Sequence, residues 1–169
     1  MRIAYTTTEG KGDLDLVLAR FAQAAQAAGL RTCGVVQINS ECAGGACDMD
    51  VQVLGGGPAI RISQNLGPDA RGCRLDPAAL EEAVGQVAAR LDPGVDVFIL
   101  NKFGKHEADG RGFRDLIGQA IALDVPVVSG VNGLNRDAFV DFTGGIAEFV
   151  PPEPDALMAW LRREARQPA

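Results

Sequence analysis

VDVFILNKFGKHE, residues 95–107, decides how the rest of the chain is read. Val95, Val97, Phe98, Ile99 and Leu100 form an apolar, β-branched and aromatic run, the pattern of a strand buried on both faces of a parallel sheet. The run breaks into a charged, glycine-hinged loop carrying Asn101, Lys102, Lys105, His106 and Glu107. In open α/β sheets, ligands sit just beyond the carboxyl ends of the strands, which is where this loop falls. Phosphoryl transfer to water needs carboxylates at such a place, to hold magnesium and orient the attacking water. Here an amide and an ammonium follow the strand instead.

Working outward, residues 2–5 read as a first strand and residues 6–12 as its loop. Asp13 or Asp15 caps a helix running to about residue 28, with Leu14, Leu18, Phe21 and Ala25 at helical spacing, and Gly29 ends it. Residues 32–37 are the next strand. Residues 51–54 and 59–63 alternate around Gly55, Gly56 and Gly57 as a hairpin. An irregular stretch, 64–75, leads to Asp76-Pro77, an N-cap followed by proline at the first helical position, of a helix reaching about residue 90.

Beyond the central strand, a helix is expected over 112–123 and a buried strand over 125–129. A turn-rich segment follows over 132–145, with a short helix near 136–142. A strand over 146–150 and a helix over 155–166 close the chain. Strands alternating with helices predict an α/β fold: a three-layer, mostly parallel sheet with helices on both faces, right-handed crossovers and a small hairpin insertion. With no repeat and no long linker, one domain over residues 1–169 is expected.

A hydrophobic fraction of 47% and a charged fraction of 22% are those of a globular chain. The net charge of -6 opposes nonspecific nucleic-acid binding, which needs a basic face. The N-terminus is too polar for a secretory signal, and no run approaches the ~20 apolar residues of a membrane span. A cytoplasmic protein without membrane insertion is expected. Cys33, Cys42, Cys47 and Cys73 are then read as reduced thiols rather than a disulfide framework. They form no CxxC pair of the kind zinc sites use, and no metal ligand set is assigned.

Three constellations carry chemistry. The loop before the first long helix occupies the place of a phosphate-binding loop, with Thr8, Gly10, Lys11 and Gly12 as its remnant. Asp13 and Leu14 stand where G-x-x-x-x-G-K-[ST] requires lysine and hydroxyl. The second is IRISQNLGPDARGCRLD, residues 60–76. Arg61, Arg71 and Arg74 there, with Ser63 and Gln64, either build an oxyanion pocket or pair with surface carboxylates. The third is residues 101–114, which bring Lys102, Lys105, Arg111 and Arg114 to the carboxyl edge of the sheet. His106 and Glu107 there are either an acid–base pair or solvated loop residues. As the sole histidine, His106 excludes any multi-histidine site.

Residues 101–107 also resemble, distantly, the Asp-Glu-x-Gly-Lys-x-Glu segment of THEP-type P-loop nucleoside-triphosphatases. Gly104, Lys105 and Glu107 fit it; Asn101 and Lys102 depart at the metal-holding and water-activating positions, so that activity does not carry over. More closely, the ISQ segment at 62–64, GCRLD at 72–76, NKFGKHE and GRGF at 110–113 resemble a bacterial family often encoded beside molybdenum ABC transporters. That resemblance implies molybdate or tungstate handling.

Together these observations lead us to expect a degenerate P-loop scaffold that binds an oxyanion without hydrolysis. Its ligand contacts would come from Arg61, Ser63, Gln64, Arg71, Arg74, Asn101, Lys102, Lys105 and Glu107. No catalytic residue and no required cofactor are assigned. The alternatives are an atypical nucleotide-binding phosphohydrolase or transferase, with Glu107 or His106 as base and Lys105 on phosphates, and a noncatalytic partner of molybdate transport or cofactor assembly. Homo-oligomerisation is expected, with Leu157 and Trp160 either anchoring an interface or packing in the core.

Overall fold

The computed structural model describes residues 1–10, 12–39, 49–64 and 75–165. The chain begins with β1 (Ile3–Thr6), α1 (Asp13–Ala27) and β2 (Thr32–Asn39). A hairpin of β3 (Met49–Val53) and β4 (Ala59–Arg61) follows, then α2 (Pro77–Ala88). Next come β5 (Val97–Phe103), α3 (Lys105–Ala108), α4 (Arg114–Ala122) and β6 (Val127–Val131). The chain ends through α5 (Arg136–Phe142), β7 (Glu148–Phe149) and α6 (Pro154–Ala165).

The seven strands form one sheet in the order β4-β3-β2-β5-β6-β1-β7. The four pairings β2–β5, β5–β6, β6–β1 and β1–β7 are parallel, and among the named strands only the β2–β3–β4 edge is antiparallel. The antiparallel edge is the hairpin insertion read from the glycine triplet.

Strand alternation divides the core between two faces. Phe98 and Leu100 of β5 join Leu80, Ala83 and Val87 of α2 and Leu116, Ile117 and Ala120 of α4. Val97 and Ile99 face the other way, onto Leu18, Phe21, Ala22 and Ala25 of α1 and onto α6. This is the expected three-layer arrangement. Leu157 and Trp160 are buried in the α1–α6 layer, so packing within the chain accounts for both.

Local signals held at several ends. The Asp76 side chain accepts from the Ala78 and Ala79 amides with Pro77 at the first turn of α2. At the end of α1, Gly29 N–H reaches Gln26 O and Leu30 N–H reaches Ala25 O, the paired bonds of a glycine C-terminal motif. At the start of α1 the expectation of an Asp13 or Asp15 cap is corrected. Gly12 is the N-cap residue, at φ 84°, and no side chain caps the helix. The left-handed turn at Gly12 brings both aspartates inside the first turn, where carboxylates favour the positive end of the helix.

Other corrections concern the segment after β5. Asn101 and Lys102 belong to the strand, which runs to Phe103, and a four-residue helix occupies part of the expected loop. The last strand shortens to Glu148–Phe149, because only Ala4 and Tyr5 of β1 offer it register partners.

Candidate functional site

The site grows out of the way β5 parts from its neighbours. The β2–β5 ladder ends at Val35 opposite Leu100. One residue on, the Asn101 side chain continues it: Gln37 N–H donates to Asn101 Oδ1 at 2.8 Å. The same amide donates from Nδ2 to Asp15 Oδ1 at 2.7 Å, in the first turn of α1. Asn101 is 3% exposed. On its other side β5 shifts register against β6 between Leu100 and Phe103. Such an irregularity re-aims side chains at a strand end. Lys102 thereby lines a cavity on the α2 and α4 face.

Gly104 then starts α3 in extended conformation, and Glu107 stands three residues later. That is the spacing at which a carboxylate reaches back to the N-cap amide. Glu107 is only 5% exposed. Burial pushes its carboxyl up to about 7, against the opposing pull of the Glu107 and Gly104 amides and of Lys102. Gly112, at φ +61°, closes over the carboxylate, since a Cβ there would lie 2.8 Å from Glu107 Oε2.

The cations of this region divide into two groups. Arg114 Nη1 donates to the carbonyls of Glu107 and Ala108 at 3.4 and 3.3 Å, and its guanidinium lies 4.8 Å over the Phe142 ring. Arg111 faces Asp109 at 3.7 Å in the open. Lys102 and Lys105 are exposed at the cavity and enter none of the ion pairs found among the described residues.

The cavity measures about 380 Å³. Val35, Val51, Ile62, Leu80, Leu100 and Phe113 form its apolar wall, while Lys102, Lys105, His106 and Glu107 supply charge and polarity with Asn132 and Asn135 opposite. Asn132 Oδ1 accepts from both the backbone and the side-chain nitrogen of Asn135, which fixes that side of the mouth. The apolar wall was missed in the sequence. The alternation of Val51, Val53, Ile60 and Ile62 marked these residues as buried, which they are, but not that Val51 and Ile62 also border a cavity.

The structure separates the other expected contacts from this cavity. Ile60 and Ile62 face the α2 layer, so Arg61 between them lies on the opposite face of the hairpin, with Nε 3.0 Å from Asp50 Oδ1. Ser63 Oγ accepts from Met49 N–H, and Gln64 Nε2 donates to Leu75 O at 2.8 Å. The first ties the start of β3 to the chain leaving β4, and the second fastens that chain to the residue entering α2. The grouping of Arg61, Ser63 and Gln64 with Lys102 and Lys105 in one pocket is thus corrected: none of the three lines this cavity, Arg61 by strand parity and Ser63 and Gln64 through these bonds. Lys11, Arg71, Arg74, Cys42, Cys47 and Cys73 lie outside the described residues.

Of the phosphate-loop remnant, the described residues Thr8, Gly10 and Gly12 do not line the cavity. Thr8 Oγ1 donates to Gly10 O at 3.3 Å, Asp13 folds against Gly10, and Gly12 borders a different groove beside α1. Two first-turn carboxylates oppose an anion at that helix end. Cys33 is buried, and burial raises its thiol to about 11, well away from reactivity. Among the described residues no helix is long and apolar enough to cross a membrane.

Known proteins share this architecture. A family model described as "Protein of unknown function (DUF2478)" matches residues 3–160. A protein of Bradyrhizobium diazoefficiens named Molybdenum import ATP-binding protein ModC 2 is 39% identical over 163 residues. The match covers 95% of this chain and 18% of the relative's own length. Among solved structures, THEP1 from the hyperthermophile Aquifex aeolicus is similar with a TM-score of 0.60 and 18% identity, covering 97% of this chain and 96% of that one. A human cancer-related nucleoside triphosphatase is similar with a TM-score of 0.68 and 15% identity, covering 99% and 100%. At such identities the likeness shows the fold alone, a P-loop nucleoside-triphosphatase-like sheet.

Proposed function

The chain belongs to the DUF2478 family, and on that premise we propose that it binds a tetrahedral oxyanion, molybdate or tungstate, on a P-loop-like scaffold that does not hydrolyse nucleotides. Lys102 and Lys105 carry this reading. They stand at the mouth of the cavity beyond β5, where hydrolysis would need magnesium-holding carboxylates, and no ion pair among the described residues engages them. Two ammonium groups beside a partly apolar cavity favour an anion through charge-assisted hydrogen bonds. The neutral side chain of Asn101, already bonded to Gln37 and Asp15, replaces the metal-holding carboxylate. The choice of molybdate is supported by the name of the Bradyrhizobium relative, which speaks of molybdenum import; tungstate is included as an anion of the same shape and charge. Storage, sensing or delivery of the anion would follow from such binding.

Isothermal titration calorimetry with molybdate, tungstate and sulfate tests this. Saturable binding of the first two is expected, with Lys102→Ala and Lys105→Ala each weakening it about ten-fold or more. Absence of saturable heat, or variants that bind like the parent, would overturn the reading.

One observation favours a second reading. Glu107 is a buried carboxyl held near neutrality beside Lys105, the condition in which a carboxylate serves as a general base. On this reading the protein is an atypical nucleotide-binding phosphohydrolase or transferase. It requires magnesium-dependent release of phosphate that disappears in Glu107→Gln.

A further inference from the structure

We propose that the site takes up one proton, on Glu107, with each oxyanion dianion it binds, so that the anion is held in mildly acidic solution and released in alkaline solution. This deepens the oxyanion reading and rests on it.

The arrangement of charge leads there. Lys102 of β5 and Lys105 and His106 of α3 line the cavity together with Glu107. The two lysines are exposed, whereas Glu107 is buried. Gly112 lies so close to Glu107 Oε2 that the carboxyl cannot swing away on that side. The groups acting on it come from four elements. The amides of Glu107 and Gly104 hydrogen-bond the carboxylate, Glu81 of α2 opposes its charge and Lys102 favours it. Arg114 of α4 is engaged elsewhere, by the carbonyls of Glu107 and Ala108 and by the Phe142 ring. No ion pair found among the described residues includes Glu107. Burial is the largest influence and lifts the carboxyl to about 7, so without a ligand it is about half protonated near neutral pH.

A dianion at the lysines shifts that balance twice over. It sets like charge beside the carboxylate, and it takes up the Lys102 charge that favoured ionisation. Both effects favour the neutral acid. Direct contact is not required, since charges several Å apart interact strongly where little water lies between them. The proton comes from solvent, the Glu107 carboxylate becomes a carboxylic acid, and no other bond changes. Below about pH 7 Glu107 is protonated with or without the anion, and affinity is level. Above it each binding event takes up a proton, and affinity falls by up to about ten-fold per pH unit.

Molybdate is the probe, titrated calorimetrically into the full chain at about pH 6 and about pH 8.5, the latter in two buffers of different ionisation enthalpy. The expected result is affinity about ten-fold or more weaker at the higher pH, with uptake there approaching one proton per anion. Glu107→Gln should abolish the uptake and flatten the pH dependence. Histidine side chains also change charge between about pH 5 and 8, so His106→Gln is the control and should keep both effects. The two-buffer comparison needs no variant, so it decides on the parent chain even if Glu107→Gln does not fold. Saturable binding with level affinity and no proton uptake overturns this inference and leaves the oxyanion reading standing. Uptake that survives in Glu107→Gln overturns Glu107 as the proton carrier. No saturable binding at either pH overturns the oxyanion reading, and this inference with it.

Discussion

Asn101 Nδ2 donates to Asp15 Oδ1 at 2.7 Å, tying the end of β5 to the first turn of α1 across 86 positions of sequence. Its carbonyl oxygen takes the Gln37 amide at the same time. A side chain with donor and acceptor both engaged, and 3% exposed, works as a strut between three elements. It leaves the neighbouring Lys102 as the exposed side chain at the end of the strand, lining the cavity.

Asn101→Ala removes an acceptor from Gln37 N–H and a donor from Asp15 in a buried place. The expected loss is about 1–3 kcal/mol of folding stability. Asn101→Asp keeps the shape but sets a second carboxylate against Asp15, so it should lose at least as much at neutral pH. Urea unfolding followed by circular dichroism measures both; parent-like midpoints for the pair would remove the strut.

Glu107 links stability to pH. Its carboxyl is pushed up by burial to about 7 in the folded chain, from the ordinary glutamate value of 4.5. The folded state therefore holds this proton more tightly than the unfolded state. Stability from the group is fully present below about 4.5 and is lost as pH rises to about 7, then stays level. The span is on the order of 3 kcal/mol. Glu107→Gln should flatten that part of the curve, becoming more stable than the parent near pH 8. Parallel urea midpoints for parent and variant between pH 4 and 8 would contradict it.

The elements that can be read from sequence are those whose signals are local. The β-branched run of β5, the leucine and phenylalanine spacing of α1 and the Asp76-Pro77 start of α2 all lie within a few residues of one another. The same holds for Gly29, whose left-handed turn ends α1. What escaped depends on contacts far apart in sequence. Asn101 looks like a loop residue until Asp15 and Gln37 are set beside it. The four residues of α3 are too few for a helical period, although glycine followed three residues later by Glu107 is a start signal of its own. At the site, the two lysines were legible as charge at a strand end. Arg61 was misplaced, because parity was counted for the apolar residues of the hairpin and not for the arginine between them.

Two glycines give opposite forecasts. A Cβ at Gly130 would run into the Asn101 carbonyl oxygen and would lie 2.9 Å from methyls of Leu14 and Leu18. Gly130→Ala should therefore cost on the order of 3 kcal/mol, by forcing β6, β5 and α1 apart. Gly85 lies inside α2 with open space around it, so Gly85→Ala should add about 0.5–1 kcal/mol. Thermal melts of the two variants decide whether close approach or helix propensity governs each place.

Thr6, at the end of β1, is fully buried, and among the described residues its hydroxyl has no hydrogen-bond partner. Valine has nearly the same shape, suits a strand and carries no polar group to desolvate. Thr6→Val is expected to be neutral or to stabilise by up to about 1 kcal/mol, with molybdate affinity unchanged, since Thr6 does not line the cavity. A marked loss of affinity would place the anion at the phosphate-loop remnant instead.

Arg61 and Lys105 test which face of the sheet the ligand uses. Ile60 and Ile62 are buried against the α2 layer, while Arg61 is 57% exposed and pairs with Asp50. Exposed pairs of this kind contribute about 1 kcal/mol at most, so Arg61→Ala should change stability little. Its molybdate affinity should stay within about two-fold of the parent, because the arginine points away from the cavity that Lys105 lines. Lys105→Ala should weaken the same binding about ten-fold, the loss that goes with one charge-assisted hydrogen bond. If calorimetry finds the reverse order, the anion sits on the Arg61 side of the hairpin in place of the end of β5.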